Sequence, residues 1–106
     1  MMEAVSLSNR LQTVADMVTG RRVADIGCDH GFVSIYLVQA KKADHVLAAD
    51  VRPGPLSRAQ QHIKEVQLTP YIETRLSDGL AGVTPEDRVD TVILAGMGRR
   101  LMRRIL

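Results

Sequence analysis

The sequence predicts an α/β domain in which a parallel sheet carries helices on both faces, and three observations carry that reading. Residues 22–26 (Arg-Val-Ala-Asp-Ile) and 45–50 (His-Val-Leu-Ala-Ala-Asp) are short runs, the second apolar on both faces as expected of a strand inside a helix-covered parallel sheet. Each run is followed by a segment of helical length, the alternation that builds β-α-β units. The first run also enters Gly27-Cys28-Asp29-His30-Gly31, a tight glycine turn opening a helix, which is how such sheets hold a ligand at the carboxyl ends of their strands.

The elements follow in order. Leu7, Leu11, Val14, Ala15 and Val18 recur at helical spacing, with Ser6 or Ser8 as cap and Gly20 as stop. Residues 32 to about 40 form the helix after the glycine turn, and Lys41-Lys42 stand where cations suit a helix carboxyl end. After the second strand, Pro55 fits a first helical turn and Leu56, Ala59, Ile63 and Val66 mark a buried stripe. His62 lies off that stripe and reads as a solvated helix residue. Residues 71–76 alternate Ile72, Thr74 and Leu76 against Glu73 and Arg75, the pattern of a half-exposed edge strand. Residues 90–94 begin a fourth strand that closes in Ala95-Gly96-Met97-Gly98, where small residues let main chain approach a reacting group. Leu101, Met102, Ile105 and Leu106 then read as the apolar stripe of a last helix, with Arg99, Arg100, Arg103 and Arg104 on its solvated face.

The glycine turn also speaks to the ligand. Gly27 and Gly31 match the first and third glycines of a G-x-G-x-x-G-like pattern, but Asp29 holds the middle position. A carboxylate there repels a pyrophosphate and attracts the sulfonium and ammonium of S-adenosylmethionine, which disfavours a nicotinamide-dependent oxidoreductase. Two further acids end strands. Asp50, 25 residues after Asp25, is either an acceptor for ribose hydroxyls or a turn residue ahead of Arg52-Pro53. Asp78 is either an acceptor for an adenine amine or an Asx turn before Gly79. Right-handed crossovers bring Asp29, Asp50 and Asp78 to one rim, with Ala95-Gly96 beside the first strand.

Composition bounds the rest. One domain fits in 106 residues, with three aromatics and a single cysteine, Cys28, which suits a reducing cytosol and reads as inert packing. No apolar run is long enough to span a bilayer, and no leader segment is evident, so a cytoplasmic location is expected. Net charge is +2, yet residues 1–98 hold ten basic against twelve acidic residues, so the positive charge is concentrated in the four late arginines. No His, Cys and carboxylate cluster has the spacing of a metal site.

The stretches 7–15 (Leu-Ser-Asn-Arg-Leu-Gln-Thr-Val-Ala), 24–31 (Ala-Asp-Ile-Gly-Cys-Asp-His-Gly), 77–80 (Ser-Asp-Gly-Leu) and 89–98 (Val-Asp-Thr-Val-Ile-Leu-Ala-Gly-Met-Gly) together resemble the bacterial tRNA (adenine-22, N1)-methyltransferase family, the TrmK family. The resemblance implies a Rossmann-like class I methyltransferase fold that uses S-adenosylmethionine on tRNA. It sets Asp25, Gly27, Asp29 and Gly31 on the first cofactor motif, Asp50 on the ribose contact, Asp78 with Gly79 on the adenine contact, and Ala95-Gly96-Met97-Gly98 beside the transferred methyl. Arg99 stands where the family pattern resembles a further glycine.

Members of that family continue through three more strands and a helical domain. Residues 1–106 therefore read as the N-terminal part of a cofactor-binding domain, cut after the fourth strand, whose free edge invites self-association. Asp29 is the candidate catalytic carboxylate, stabilising charge that develops on the adenine. A non-catalytic module binding S-adenosylmethionine or RNA is the alternative.

Overall fold

The computed structural model describes residues 7–18, 20–94 and 102–104. Five strands, β1 (Arg22–Ile26), β2 (His45–Asp50), β3 (Ile72–Leu76), β4 (Thr91–Ile93) and β5 (Met102–Arg104), form one sheet in the order β3-β2-β1-β4-β5. The first four are parallel. Three helices, α1 (Asn9–Asp16), α2 (Phe32–Gln39) and α3 (Pro53–Glu65), and two short 3-10 turns, Gly79–Gly82 and Pro85–Asp87, complete the described chain.

Local chemistry explains the helix ends. The Ser8 hydroxyl accepts the Leu11 N–H and caps α1, which ends at Asp16. Gly20 therefore does not stop this helix. It lies where a Cβ would fall 1.8 Å from Asp90 Oδ1, and the Asp90 carboxylate accepts the N–H groups of Arg21 and Arg22 at 2.9 and 3.1 Å. The missing side chain there admits a carboxylate that fastens the entry of β1 to the segment leading into β4. α3 starts with Pro53 and Pro55 in its first turn, where the absent N–H groups cost nothing. Val14, Ala15, Leu56, Ala59 and Ile63 are buried as the helical spacing predicts.

Alternation along the strands separates two cores. Val23, Val46, Ala48 and Ile93 join residues of α1, α2 and α3 in a large cluster on one face. Ala24, Ile26, Ala49 and Val92 form a smaller cluster on the other, covered by Val83, Val89 and Leu94. Among the described residues, then, the α-helices serve one face, and the second is closed by the chain around the 3-10 turns. Fully buried Ile26, Ile35, Leu37 and Leu47 contribute roughly 1.5–3 kcal/mol each.

Three expectations are corrected. Residues 102–104 are not helical: they pair antiparallel with β4, Met102 opposite Ile93 and Arg104 opposite Thr91. The open N–H and C=O row of β4 offers this segment backbone partners at once. The sheet consequently does not stop at its fourth strand, and the edge on which self-association is predicted is occupied within the chain. Leu76, predicted on the covered side of β3, is 58% exposed, because β3 ends there at the outer edge of the sheet.

Candidate functional site

The loop from β1 to α2 is a run of left-handed backbone. Gly27, Asp29 and Gly31 have φ of 73°, 54° and 83°. The N–H groups of Gly27 and Cys28 both donate to the Ala49 carbonyl, at 2.8 and 2.9 Å, folding the turn over the end of β2. The position where the pattern has a middle glycine thus demands a left-handed residue here too, and aspartate is among the few side chains that tolerate it. Its own N–H donates to Asp50 Oδ2 at 3.0 Å. Gly31 caps α2 where a Cβ would meet the Ala59 Cβ at 3.1 Å, so its bareness also sets how closely α2 approaches α3.

The predicted acids gather at the carboxyl ends of β1, β2 and β3 and differ sharply in environment. Asp25 is buried and accepts the Ser34 hydroxyl at 2.8 Å. Burial is the main influence on it and, with the nearby Asp50 and Asp29 charges, outweighs the Ser34 hydrogen bond, raising its pKa to about 6. Asp50 is equally hidden from solvent, and its carboxylate accepts the Arg52 and Asp29 N–H groups and the Arg52 guanidinium. Burial is again the largest influence, pushing upward, but the hydrogen bonds together prevail and hold the acid below its ordinary value. Asp50 therefore also serves the turn ahead of Pro53, as its alternative reading has it. Asp78 is exposed and makes no cap hydrogen bond. Ser77 supplies the turn instead, donating to the Gly79 carbonyl at 2.8 Å and accepting the Gly82 N–H at 2.9 Å.

Two hollows share Gly27 and Arg52 in their walls. One, of about 270 Å³, is lined by Asp25, Asp29, His30, Phe32 and Leu11 among others. The second, of about 170 Å³, is lined by Ile26, Asp50, Val51, Ser77, Asp78 and Gly79. A larger hollow of about 680 Å³ lies at the amino ends of β1 to β3, its one acid, Asp44, paired with Arg21 at 2.7 Å. Ligands of open parallel sheets sit at the carboxyl ends, so the carboxylate rim is the candidate site despite its smaller volume. Cys28 is buried, and burial, reinforced by Asp25, Asp50 and Asp29, pushes its thiol well above the usual range, which leaves it inert. Ala95 and Gly96 lie outside the described residues. Among the described residues no cluster of His, Cys, Asp or Glu could hold a metal ion, and no helix is long and apolar enough to cross a membrane.

Two features of the rim were not legible in the chain. The Arg52 guanidinium lies 3.2 Å from Asp50 and 3.5 Å from Asp29, its side chain 57% exposed. A basic residue two positions past a strand-ending acid is the signal that points to it. The other is aromatic. The Phe32 ring, 40% exposed, stacks on His62 at 4.9 Å and 17°, and His30 meets both rings edge-on at 6.1 Å. His62 is thus not a solvated helix residue: its Nδ1 lies 2.8 Å from the His30 carbonyl oxygen, locking it to the glycine turn. Only the packing of α3 across the turn brings these rings together.

Comparison with known proteins fits this geometry. Residues 7–106 match the family described as Methyltransferase domain. The tRNA (adenine(22)-N(1))-methyltransferase of Bacillus subtilis is 37% identical over 99% of this chain, and the chain spans 44% of that protein's length. The structure of M. capricolum TrmK in complex with S-adenosyl-homocysteine is 41% identical, covering 70% of this chain and 33% of that one with a TM-score of 0.68. Streptococcus pneumoniae Sp1610 bound to S-adenosyl-L-methionine is 31% identical, covering 83% and 42% with a TM-score of 0.79.

Proposed function

Since this chain belongs to the methyltransferase-domain family, we propose that its carboxylate rim binds S-adenosylmethionine and that the chain acts in methyl transfer to N1 of a tRNA adenine. The observation that carries the reading is the junction of a left-handed glycine turn with acids from three successive strand ends. Such a set is rich in acceptors, which fits an adenosine carrying positive charge.

When bound, the cofactor supplies an electrophilic methyl on sulfur. The residues supply position and charge. In this reading Asp50 is the acceptor for the ribose hydroxyls, the exposed Asp78 carboxylate beside Gly79 the acceptor for the adenine amine, and Val51, apolar and exposed at the same hollow, the cover of an adenine face. Asp25 and Gly27 line the hollow of about 270 Å³, and Gly31 keeps α2 close to α3. Asp29, which lines the hollow of about 270 Å³, is the carboxylate proposed to stabilise positive charge developing on the base; Ala95 and Gly96 are assigned beside the methyl from sequence alone. N1 of adenine carries a free lone pair at neutral pH, so no base is needed to remove a proton, and alignment carries the catalysis. Exposure of Phe32 on His62 offers a stacking face for an adenine taken out of its helix. A tRNA substrate implies a cytoplasmic location.

Calorimetric titration with S-adenosylhomocysteine and with NAD tests the cofactor, with binding of the first alone expected. Binding of NAD alone would overturn it. Incubation with unmodified tRNA and S-adenosylmethionine, read by mass spectrometry of nucleosides for N1-methyladenosine, tests the reaction.

A further inference from the structure

Among the described residues, Arg52 is the one cation that the two hollows share. It touches the two acids to which opposite ends of an adenosine-linked cation would go. Its Nε and one terminal nitrogen face the two oxygens of Asp50 at 3.2 and 3.4 Å, and the same terminal nitrogen lies 3.5 Å from Asp29 Oδ1. The guanidinium therefore bridges the ribose acid and the acid of the glycine turn across the line where the hollows meet. Only the side chain is free to move: the Arg52 N–H donates to Asp50 Oδ1 at 2.9 Å and its carbonyl accepts the Leu56 N–H at the start of α3, but the guanidinium arm is more than half exposed. Asp50 keeps its backbone donors, the Asp29 and Arg52 N–H groups, when that side chain leaves.

We propose that Arg52 is a resident counter-ion that a cationic guest must displace from between Asp29 and Asp50, and so the residue that sets how well the site distinguishes the sulfonium methyl donor from its uncharged thioether product. The proposal rests on the cofactor assignment above. The two ligands share the adenosine and the amino-acid end and differ by one positive charge on sulfur. Freeing Asp50 helps both, since both carry the ribose. Removing a nearby positive charge helps more the ligand that carries the extra charge on sulfur. With Arg52 in place the donor's electrostatic advantage is blunted, which lets product compete. Salt screens the exposed guanidinium, so the effect fades as ionic strength rises.

The test is calorimetric titration of the chain, of Arg52→Gln and of Arg52→Lys with S-adenosylmethionine and S-adenosylhomocysteine at low and high salt. Arg52→Gln is expected to bind the donor about tenfold more tightly and the product no more than about threefold, with the difference shrinking at high salt. Arg52→Lys, which keeps the charge, is expected to retain the wild-type ratio. A glutamine variant that weakens both ligands would show Arg52 to be a direct cofactor contact and overturn the proposal, as would an unchanged ratio of the two affinities. Circular dichroism confirms that each variant is folded. Folded wild-type chain that bound neither ligand, yet bound NAD, would remove the cofactor reading itself, a result distinct from any change of ratio.

Discussion

The backbone N–H of Asp29 donates to the buried Asp50 carboxylate at 3.0 Å. The end of β2 thereby holds the left-handed residue of the β1–α2 turn in place, and the acid that ends one strand is a structural support for the acid that follows another. Asp50→Ala is expected to leave the Asp29 and Arg52 N–H groups without their acceptor and to cost about 1–3 kcal/mol in urea unfolding. Because the folded pKa of Asp50 is depressed, its contribution is present above the unfolded value near 3.8 and is lost as pH falls through the folded one. The variant should accordingly differ most from the wild type near neutrality and converge with it in acid. Loss of detectable S-adenosylhomocysteine binding by a still-folded Asp50→Asn would separate the ligand role from the supporting one.

Asp25 has the opposite sign. Its carboxyl is stabilised in the protonated form, so between the unfolded value of 3.8 and the folded value of about 6 the native state holds a proton that the unfolded chain has released. Stability due to this residue falls across that window and is flat above it, a difference of about 3 kcal/mol. Asp25→Asn, which can still accept the Ser34 hydroxyl, should be more stable than the wild type at pH 7 and equal to it near pH 4. Parallel denaturation curves for the two proteins at both pH values would contradict the assignment.

Much of this is legible in the chain itself. Residues 45–50 are a strand because both of its faces are apolar, and the structure gives the same bounds; the buried stripe Leu56, Ala59 and Ile63 follows from helical period alone. The rim was legible because topology dictates where parallel strands end, so Asp50 and Asp78 needed only to follow strands. What escaped depended on contacts distant in the chain. β5 forms because β4 has an unpaired edge, a fact of sheet assembly with no local signature, and a run whose apolar residues stand at helical spacing does not announce it. Asp90 looks like a strand residue until the bare Gly20 is seen 70 positions upstream. His62 looks solvated until α3 lies over the glycine turn.

At Gly31 two requirements coincide, a φ of 83° and a 3.1 Å approach of an added Cβ to Ala59. Gly31→Ala is expected to cost about 1–2 kcal/mol for the left-handed conformation alone, with the α2–α3 contact adding to it. For a chain of this size the melting temperature should fall by roughly 5–15 °C. Ala59→Gly, itself about 1 kcal/mol destabilising in the interior of α3, should cost less in the Gly31→Ala background than alone, because it relieves the contact and none of the backbone strain. Thermal melts of both single variants and the double variant followed by circular dichroism distinguish the two contributions, and additive losses would assign the whole cost of Gly31→Ala to the backbone.

The aromatic rim gives a prediction for the nucleic-acid side. Phe32 is held against His62 by stacking, and His62 is held by the carbonyl of His30, so the exposed Phe32 face is pre-set rather than free to collapse into the hollow beside it. A pre-set ring loses little side-chain freedom when a base lies on it, and stacking of one base on such a ring contributes about 1–3 kcal/mol. In chain saturated with S-adenosylhomocysteine, Phe32→Ala should weaken binding of a short adenine-containing RNA by roughly tenfold or more, and Phe32→Trp should retain it. His62→Ala should fall between the two, since it leaves the ring present but unsupported. Fluorescence anisotropy of a labelled oligonucleotide reads all three, and equal affinities for the wild type and Phe32→Ala would mean that the base is received elsewhere.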